Sequence, residues 1–254
     1  MKIETRGPVR HFILDRPDSL NALNTAQWTA LLTELRVAED DPGVRAILLS
    51  AEGRAFCAGN DIKETSRFAG KGDARAYFLD LMVPALAALA SSRLPIVAAA
   101  HGMALGAGLE LLQFCDVVIA GESCRFQLPE TKIGLWATVY LGSASHGGGR
   151  RMSQYLTLTS EPIDARTAHE AGLVTTVVPD DQLLERALEV ATSIAGNAPE
   201  AVAASKAFAN RTLINECIPV VRDALTSLID HTLFEPEGRE GITSFIEKRR
   251  PQFA

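Results

Sequence analysis

Two glutamates in apolar surroundings are the residues of this chain best suited to acid–base chemistry. Glu110 lies within the sequence LELL, and Glu130 follows the segment FQLP. Burial separates the pKa values of neighbouring carboxyl groups, so that one can act as an acid and the other as a base. Such a pair can hold one water molecule, one glutamate taking its proton while the other supplies a proton to carbon. Each glutamate alone is equally compatible with an ordinary solvated helix residue.

Two turns rich in small residues offer backbone N–H groups beside these acids. The first, GMALGAGLE, runs from Gly102 to Glu110, and the second, FCAGND, runs from Phe56 to Asp61. N–H groups at a helix N-terminus are partly positive and stabilise a developing anion. One N–H from each turn would form an oxyanion hole, which for a thioester holds the charge of an enolate. Close packing of a helix start and a tight turn explain the two sequences equally well.

Strand and helix patterns predict the framework that positions these groups. Apolar runs typical of strands occur at 9–14, 44–50, 96–100, 117–120 and 175–178. Helical spacing follows Thr25, the predicted N-cap, and recurs at 74–91, 106–114, 180–195, 199–213, 219–232 and 236–247, with a helix start at Asp164. Residues 68–73 are expected to form a mobile loop. Strand–helix repeats with short links favour right-handed β-α-β units and an α/β core.

Composition and charge narrow the classes of function. The formal net charge is −6, and no basic face offsets it, which argues against a nucleic-acid partner. The apolar run near 97–112 is interrupted by glycines, His101 and Glu110, so no membrane span is expected. The N-terminal sequence shows no apolar signal segment, and the cysteines lack CxxC spacing. We therefore expect a cytoplasmic protein with buried free thiols at Cys57, Cys115, Cys124 and Cys217.

Other kinds of catalytic site find little support. The sequence lacks GxSxG, GxGxxG and GxxxxGK[ST] motifs, which argues against a serine nucleophile and a nucleotide loop. Its histidines form no HxxxH pair, so no metal site is expected. His101, at a strand end, is interpreted as structural, whereas His146 lies in an unusual loop from which it could approach the site.

Five segments in order resemble the crotonase family, also called the enoyl-CoA hydratase/isomerase superfamily. They are LDRPDSLNALN, GRAFCAGNDIKE, HGMALGAGLELLQFCDVVIA, RFQLPETKIGL and AHEAGLVTTVV, and the resemblance extends to REGITSFIEKRRPQF at the C-terminus. The resemblance implies an α/β spiral of β-β-α units in residues 1–195. It also implies a helical trimerisation region in residues 196–254, giving a homotrimer or a dimer of trimers.

The same resemblance implies roles for individual residues. Glu110 and Glu130 would be catalytic, and the N–H groups of Ala58 and Ala107 would form the oxyanion hole. A third set would bind coenzyme A or the thioester arm: Ser19, Leu20, Ala22, Gly59, Asn60, Asp61, Ile62, Phe245 and Lys248. Coenzyme A would be part of the substrate, and no separate cofactor or metal is implied. An ordinary amphipathic helix end accounts equally well for Phe245 and Lys248.

The loop after Glu130 departs from the resemblance. Many hydratases carry a glycine-rich run there, whereas this chain has WATVYLGSASHGGGRR. Trp136 and Tyr140 are bulky and are predicted to shape the acyl pocket, with an altered acyl preference, a modified reaction or a weak enzyme as the expected consequence. Because both glutamates are present, we expect water addition to a 2-enoyl-CoA thioester. Isomerisation through the same enolate and a catalytically silent acyl-CoA-binding subunit are the alternatives.

Overall fold

The computed structural model describes residues 1–143 and 149–253, in which nine strands form two sheets. In chain order the strands are β1 (Lys2–Arg6), β2 (Val9–Leu14), β3 (Ala46–Ala51), β4 (Ile96–Ala100), β5 (Met103–Leu105), β6 (Val117–Gly121), β7 (Arg125–Gln127), β8 (Ile163–Asp164) and β9 (Thr176–Val178). The larger sheet has the order β1-β2-β3-β4-β6-β9 and is parallel except for the β1–β2 pair. The smaller sheet has the order β5-β7-β8.

Twelve α-helices lie within the described ranges. They are α1 (Thr25–Asp40), α2 (Ile62–Thr65), α3 (Lys71–Tyr77), α4 (Val83–Ser91), α5 (Ala107–Leu112), α6 (Thr138–Ser143), α7 (Gly149–Thr159), α8 (Ala165–Glu170), α9 (Leu183–Ala195), α10 (Pro199–Ala209), α11 (Ile218–His231) and α12 (Pro236–Glu247). Single π-helical turns, Phe78–Met82 and Leu213–Cys217, precede α4 and α11. A 3₁₀ turn, Glu130–Ile133, follows β7.

Strands β3, β4 and β6 are buried on both faces, which explains their almost continuously apolar sequences. On one face, Leu48, Val97 and Ile119 pack against Ala187 and Ala191 of α9. The other face contributes to the larger core, which contains α1 and α4. In the β4-β5-α5 unit, the chain passes from the large sheet to the small sheet and then into a helix. The α/β class predicted from the sequence is therefore confirmed.

Several local expectations need correction. The N-cap of α1 is Asn24 rather than Thr25, because the Asn24 side chain accepts the N–H of Gln27 at 2.9 Å. Helix α3 already begins at Lys71, within the segment expected to be a loop. The short strands β5, β7 and β8 were not predicted, since two or three residues cannot display a period. By contrast, Asp164 caps α8 as expected, accepting the N–H of Thr167.

The helical stretch Lys71–Ser91 is long and apolar enough to cross a membrane by length and composition alone. In this fold, 56% of its most apolar window is buried. Leu86 and Leu89 of α4 belong to the main hydrophobic core. The apolar character of this stretch is therefore accounted for by packing inside the protein.

A buried ion pair joins α10 to the large sheet. Lys206 Nζ lies 2.8 Å from Asp116 Oδ2 and donates to the carbonyl of Leu94, also at 2.8 Å. The same Asp116 oxygen accepts the N–H of Ile96 at 2.7 Å. Lys206 is buried, whereas the Asp116 side chain is 19% exposed. This pair therefore fixes the C-terminal helices to the start of β4.

We expect Lys206→Met to lower the free energy of unfolding by roughly 2 kcal/mol, because it leaves the Asp116 carboxylate without its counter-charge and the Leu94 carbonyl without its side-chain donor. Urea unfolding measures the change. Lys71→Met is the matched control, since Lys71 Nζ donates to the Asp230 carbonyl at 2.8 Å and lies 3.8 Å from its carboxylate at the surface, where such contacts contribute little. Equal stability of the two variants would contradict the prediction.

Candidate active site

Both glutamates face one apolar cavity of about 140 Å³. Its walls come from the turn after β3, the start of α5, the 3₁₀ turn, the segment 135–138 and the C-terminal helices. The lining residues are Ala58, Gly59, Asn60, Ile62, Thr65, Phe78, Met82, Gly106, Ala107, Glu110, Pro129, Glu130, Ile133, Leu135, Trp136, Ala137, Thr138, Leu225, Leu228, Leu233, Ile242 and Phe245. Among these described residues, the two glutamates are the only ionisable groups.

Glu110 lies in the first turn of α5 and is 5% exposed. Its Oε1 accepts the backbone N–H of Tyr140 at 2.9 Å, at the N-terminal end of α6. Burial raises the pKa of the Glu110 carboxyl, while the N–H groups of Tyr140 and Val139 oppose part of that rise. The helix N-terminus thus orients this carboxylate and partly stabilises its ionised form.

Glu130 is the first residue of the 3₁₀ turn. The residue is partly exposed, but its Oε2 is sealed from solvent and has no hydrogen-bond partner within the part of the chain that the structure describes. Burial and the negative charge of Glu110 both raise the pKa of the Glu130 carboxyl. Glu130 therefore holds its proton more readily than an ordinary glutamate.

Gly106 makes room for the Glu130 carboxylate. A Cβ at position 106 would lie 2.7 Å from Glu130 Oε1, closer than non-bonded carbon and oxygen approach. Gly106 also has a φ of 49°, in the left-handed region that other residues adopt at a cost. Both observations explain why the turn before α5 requires glycine at this position.

The raised pKa of Glu130 predicts that folding stability falls as pH rises. In the unfolded chain the carboxyl has its ordinary pKa of 4.5, so above that pH the folded state binds more protons than the unfolded state. The stability contributed by this proton is complete below the ordinary value and is lost as pH rises through the raised value. Each pKa unit of the rise adds about 1.4 kcal/mol to the loss.

Urea unfolding of the wild type and Glu130→Gln at about pH 5 and about pH 8.5 tests this linkage, since the glutamine cannot titrate. The wild type is expected to lose more stability than the variant between the two pH values. Parallel pH profiles would show that the Glu130 pKa is not raised.

The backbone N–H of Ala58 is not free. It donates to the carbonyl of Leu20 at 2.9 Å, so the prediction that Ala58 supplies one side of an oxyanion hole needs correction. The turn containing Ala58 pairs with residues that lie far away in the sequence. Residues 58 and 60 of this turn face different partners, and only the tertiary structure shows which N–H remains open.

The open N–H in this turn belongs to Asn60. The carbonyl of Gly59 accepts the N–H of Leu23 at 2.8 Å, and the N–H of Asp61 donates to the carbonyl of Leu23 at 2.9 Å. Because the peptide bond is trans, the Asn60 N–H points away from Leu23. Within the described ranges it has no hydrogen-bond partner, and Asn60 lines the cavity.

A second open N–H lies beside the first. Ala107 is the first residue of α5, and among residues 1–143 and 149–253 no side chain caps this helix start and no acceptor binds the Ala107 N–H. A Cβ on Gly59 would lie 3.3 Å from the Ala107 nitrogen, so the two turns are in close contact. The structure therefore brings together the backbone of Asn60 and Ala107, where the sequence predicted Ala58 and Ala107.

Of the residues predicted to bind coenzyme A, Gly59, Asn60, Ile62 and Phe245 line the cavity. The remaining ones are not part of the described cavity wall: Ser19, Leu20, Ala22, Asp61 and Lys248. Arg16 joins two of them, donating to the Ala22 carbonyl at 2.6 Å and to Asp61 Oδ2 at 2.9 Å. Lys248 is the exposed C-cap of α12.

The two predicted acyl-pocket residues differ in position. Trp136 lines the cavity, but Tyr140 does not, because its ring is fully buried in the core beneath α6. The contribution of Tyr140 to the site is its backbone N–H, which contacts Glu110. The helix α6 was not predicted, so the inward direction of this side chain could not be foreseen.

Sequence reasoning also missed the apolar wall from distant helices. Leu225 and Leu228 of α11, together with Ile242 of α12, complete the cavity. Their amphipathic spacing predicts helices but not which face covers the site. His101 Nε2 donates a hydrogen bond to the Gly53 carbonyl at 2.9 Å, which fits a structural role. His146 lies outside the described residues.

Comparisons with known proteins agree with this architecture. A family model described as enoyl-CoA hydratase/isomerase matches residues 4–254. The chain is 35% identical to a probable enoyl-CoA hydratase of Mycobacterium bovis, over 94% of this chain and 92% of the relative. It is 34% identical to the 2,3-dehydroadipyl-CoA hydratase of Escherichia coli, with the same two coverages.

Solved structures match over nearly the whole length. An enoyl-CoA hydratase/isomerase from Pseudoalteromonas atlantica superposes with a TM-score of 0.88 at 32% identity, covering 100% of this chain and 99% of its own. A carnitinyl-CoA hydratase from Mycobacterium avium gives a TM-score of 0.84 at 34% identity, covering 99% and 97%. These matches confirm the predicted crotonase-type fold. The chain belongs to the enoyl-CoA hydratase/isomerase family.

Proposed function

We propose that this protein is an enoyl-CoA hydratase, which adds water across the 2,3 double bond of a 2-enoyl-CoA thioester. The observation that carries the proposal is the pair Glu110 and Glu130, which face one apolar cavity beside the open N–H groups of Asn60 and Ala107. Acid, base and oxyanion donors therefore surround the same space. Relatives named as hydratases support the reaction class.

The two glutamates take different roles in the proposal. Glu110 receives a backbone N–H that stabilises its anion, whereas the Glu130 carboxyl experiences the charge of Glu110. Glu110 is accordingly the base that takes a proton from water, and the hydroxide adds to C3. Glu130 gives its proton to C2, and the proton on Glu110 then returns to Glu130 through solvent. The net change is the addition of one water molecule.

The N–H groups of Asn60 and Ala107 hold the thioester oxygen while it carries the enolate charge. Fixed donors in a water-poor cavity stabilise such charge strongly because they need no reorganisation. Trp136, Leu135 and the residues of α11 and α12 surround the acyl group. No metal or redox cofactor is needed for this sequence of steps.

The proposal is tested with purified protein and two substrates, crotonyl-CoA and a longer 2-enoyl-CoA. Loss of the enone absorbance and incorporation of ¹⁸O from labelled water into the product are expected. Migration of a double bond without label would identify an isomerase instead. Binding of both thioesters without turnover would identify a silent acyl-CoA-binding protein.

We also propose that residues 196–254 mediate assembly as a homotrimer or a dimer of trimers. The family resemblance is the support for this proposal, and exposed apolar side chains such as Phe208 are compatible with it. Light scattering in solution measures the assembly directly. A monomer at micromolar concentration would contradict it.

A further inference from the structure

A buried polar cluster lies directly behind the turn that carries the Asn60 N–H. Asn60 Oδ1 accepts the indole N–H of Trp28 at 3.3 Å and lies 3.0 Å from the Tyr77 hydroxyl. The indole N–H also lies 3.2 Å from that hydroxyl. Trp28 is fully buried and Tyr77 is 3% exposed. The Asn60 side chain therefore points into the core, whereas its backbone faces the cavity.

The Tyr77 hydroxyl also reaches the backbone that pairs with this turn. It lies 2.6 Å from the carbonyl of Leu23, the residue whose N–H and carbonyl bind both sides of Asn60. On its other side, the Asn60 amide nitrogen lies 3.8 Å from the Met82 sulfur. One cluster thus holds the side chain of Asn60 and the Leu23 backbone that aligns the Asn60 peptide unit.

The preceding residue makes such an anchor necessary. Gly59 has a φ of 95° and lacks a side chain, so the peptide unit between Gly59 and Asn60 has more rotational freedom than most. The hydrogen bond from Leu23 to Gly59 defines one direction of that unit. A side-chain anchor on Asn60 restricts rotation of the peptide unit about that hydrogen bond. The Asn60 N–H therefore keeps one direction into the cavity.

We propose that Asn60, through its side chain, and Tyr77 and Trp28 behind it are positioning residues for the oxyanion donor at the Asn60 backbone. The inference rests on the proposed function and deepens it. Neither Trp28 nor Tyr77 lines the described cavity wall, so their effect on substrate passes through Asn60. Small displacements of a donor are costly, since about 1 Å can cost about 100-fold in rate.

Asn60→Ala keeps the backbone N–H and removes its side-chain anchor, and Tyr77→Phe removes the hydroxyl that contacts both Asn60 Oδ1 and the Leu23 carbonyl. We expect kcat for crotonyl-CoA to fall by about tenfold in each variant, with KM changed by less than about twofold, because the loss falls on charge that develops in the transition state. The double variant should lose less than the product of the two single losses, since both changes act on the peptide unit of Asn60, one through its side chain and the other also through Leu23. Additive losses in the double variant would overturn the inference.

A second readout does not require turnover. The chromophoric thioester 4-dimethylaminocinnamoyl-CoA absorbs at longer wavelength when its carbonyl is polarised by hydrogen bonds. The bound wild type is expected to give a red shift, and both variants a smaller one. A merely structural role would lower stability and leave this shift unchanged, and that result would overturn the inference, as would a wild-type complex without any shift.

Tyr155→Phe is the matched control, since it removes a tyrosine hydroxyl from the exposed side of α7. It should retain the wild-type kcat and the wild-type red shift, and a loss equal to that of Tyr77→Phe would overturn the inference.

Should the wild type fail to hydrate any enoyl-CoA, the proposed function fails. The spectral comparison of the variants still decides the positioning role in that case.

Discussion

Glu110→Gln and Glu130→Gln are each expected to lower kcat for enoyl-CoA hydration by about 10²- to 10⁴-fold, the contribution of general acid–base catalysis. Glutamine at position 110 can still accept the Tyr140 N–H through its amide oxygen, so the geometry of α5 and α6 is retained. It cannot take a proton from water. Glutamine at position 130 cannot deliver a proton to C2. Initial rates of enone loss under saturating substrate measure both effects.

Because the two acids work in one reaction, the double variant should lose little more than the slower single variant. Glu122→Gln is the matched control, since Glu122 is exposed in the turn after β6 and does not line the cavity. Thermal unfolding and binding of 4-dimethylaminocinnamoyl-CoA should show that all variants are folded. Rates equal to the wild type in Glu110→Gln or in Glu130→Gln would remove that residue from the mechanism.

Gly241→Ala is the second substitution with a large expected effect. Helix α12 packs its small buried face directly on the 3₁₀ turn, and a Cβ at position 241 would overlap the carbonyl group of Ile133. That turn begins with Glu130, and α12 also places Ile242 and Phe245 in the cavity wall. Overpacking of this kind costs about 1–3 kcal/mol. A displacement of Glu130 by about 1 Å is expected to lower kcat about 100-fold.

Thr243→Ala is the control, because Thr243 is exposed two residues further along the same helix. The control should keep both activity and stability, since alanine favours the helix. Steady-state kinetics and urea unfolding compare the two variants. Full activity of Gly241→Ala would show that α12 does not determine the position of Glu130.

Much of the fold and part of the site follow from local sequence. The apolar runs of β2, β3, β4 and β6 predicted parallel strands because both of their faces are buried. Ala107 and Glu110 lie three residues apart in one helix, so their relative position follows from helix geometry. Glu130 follows the end of β7, and β7 pairs with β5, the strand that leads into α5. Glu110 and Glu130 lie close together because β5, which leads into α5, pairs with β7, which precedes Glu130.

The turn at residues 56–61 could not be interpreted correctly from its local sequence. Whether a given N–H in a turn is open depends on the partners of every other N–H. Ala58 donates to Leu20, and Leu23 pairs with both sides of Asn60, contacts made with a loop more than thirty residues away. The sequence of the turn contains both candidates and cannot distinguish them. The pairing with the distant loop distinguishes them, because it occupies the N–H of Ala58 and leaves that of Asn60 open.

Residue types and their spacing were sufficient for the α/β class and for the helices of the C-terminal region, and they selected Glu110 and Glu130 as candidate acids. The class and the helices depend on periodicity, and the two candidates on residue type and apolar context, all of which are read over a few residues. The contacts of Tyr140 with Glu110, of Tyr77 with Asn60 and of α12 with the 3₁₀ turn arose only on folding. Each joins elements whose relative placement depends on the packing of the whole core, and no short segment encodes that placement.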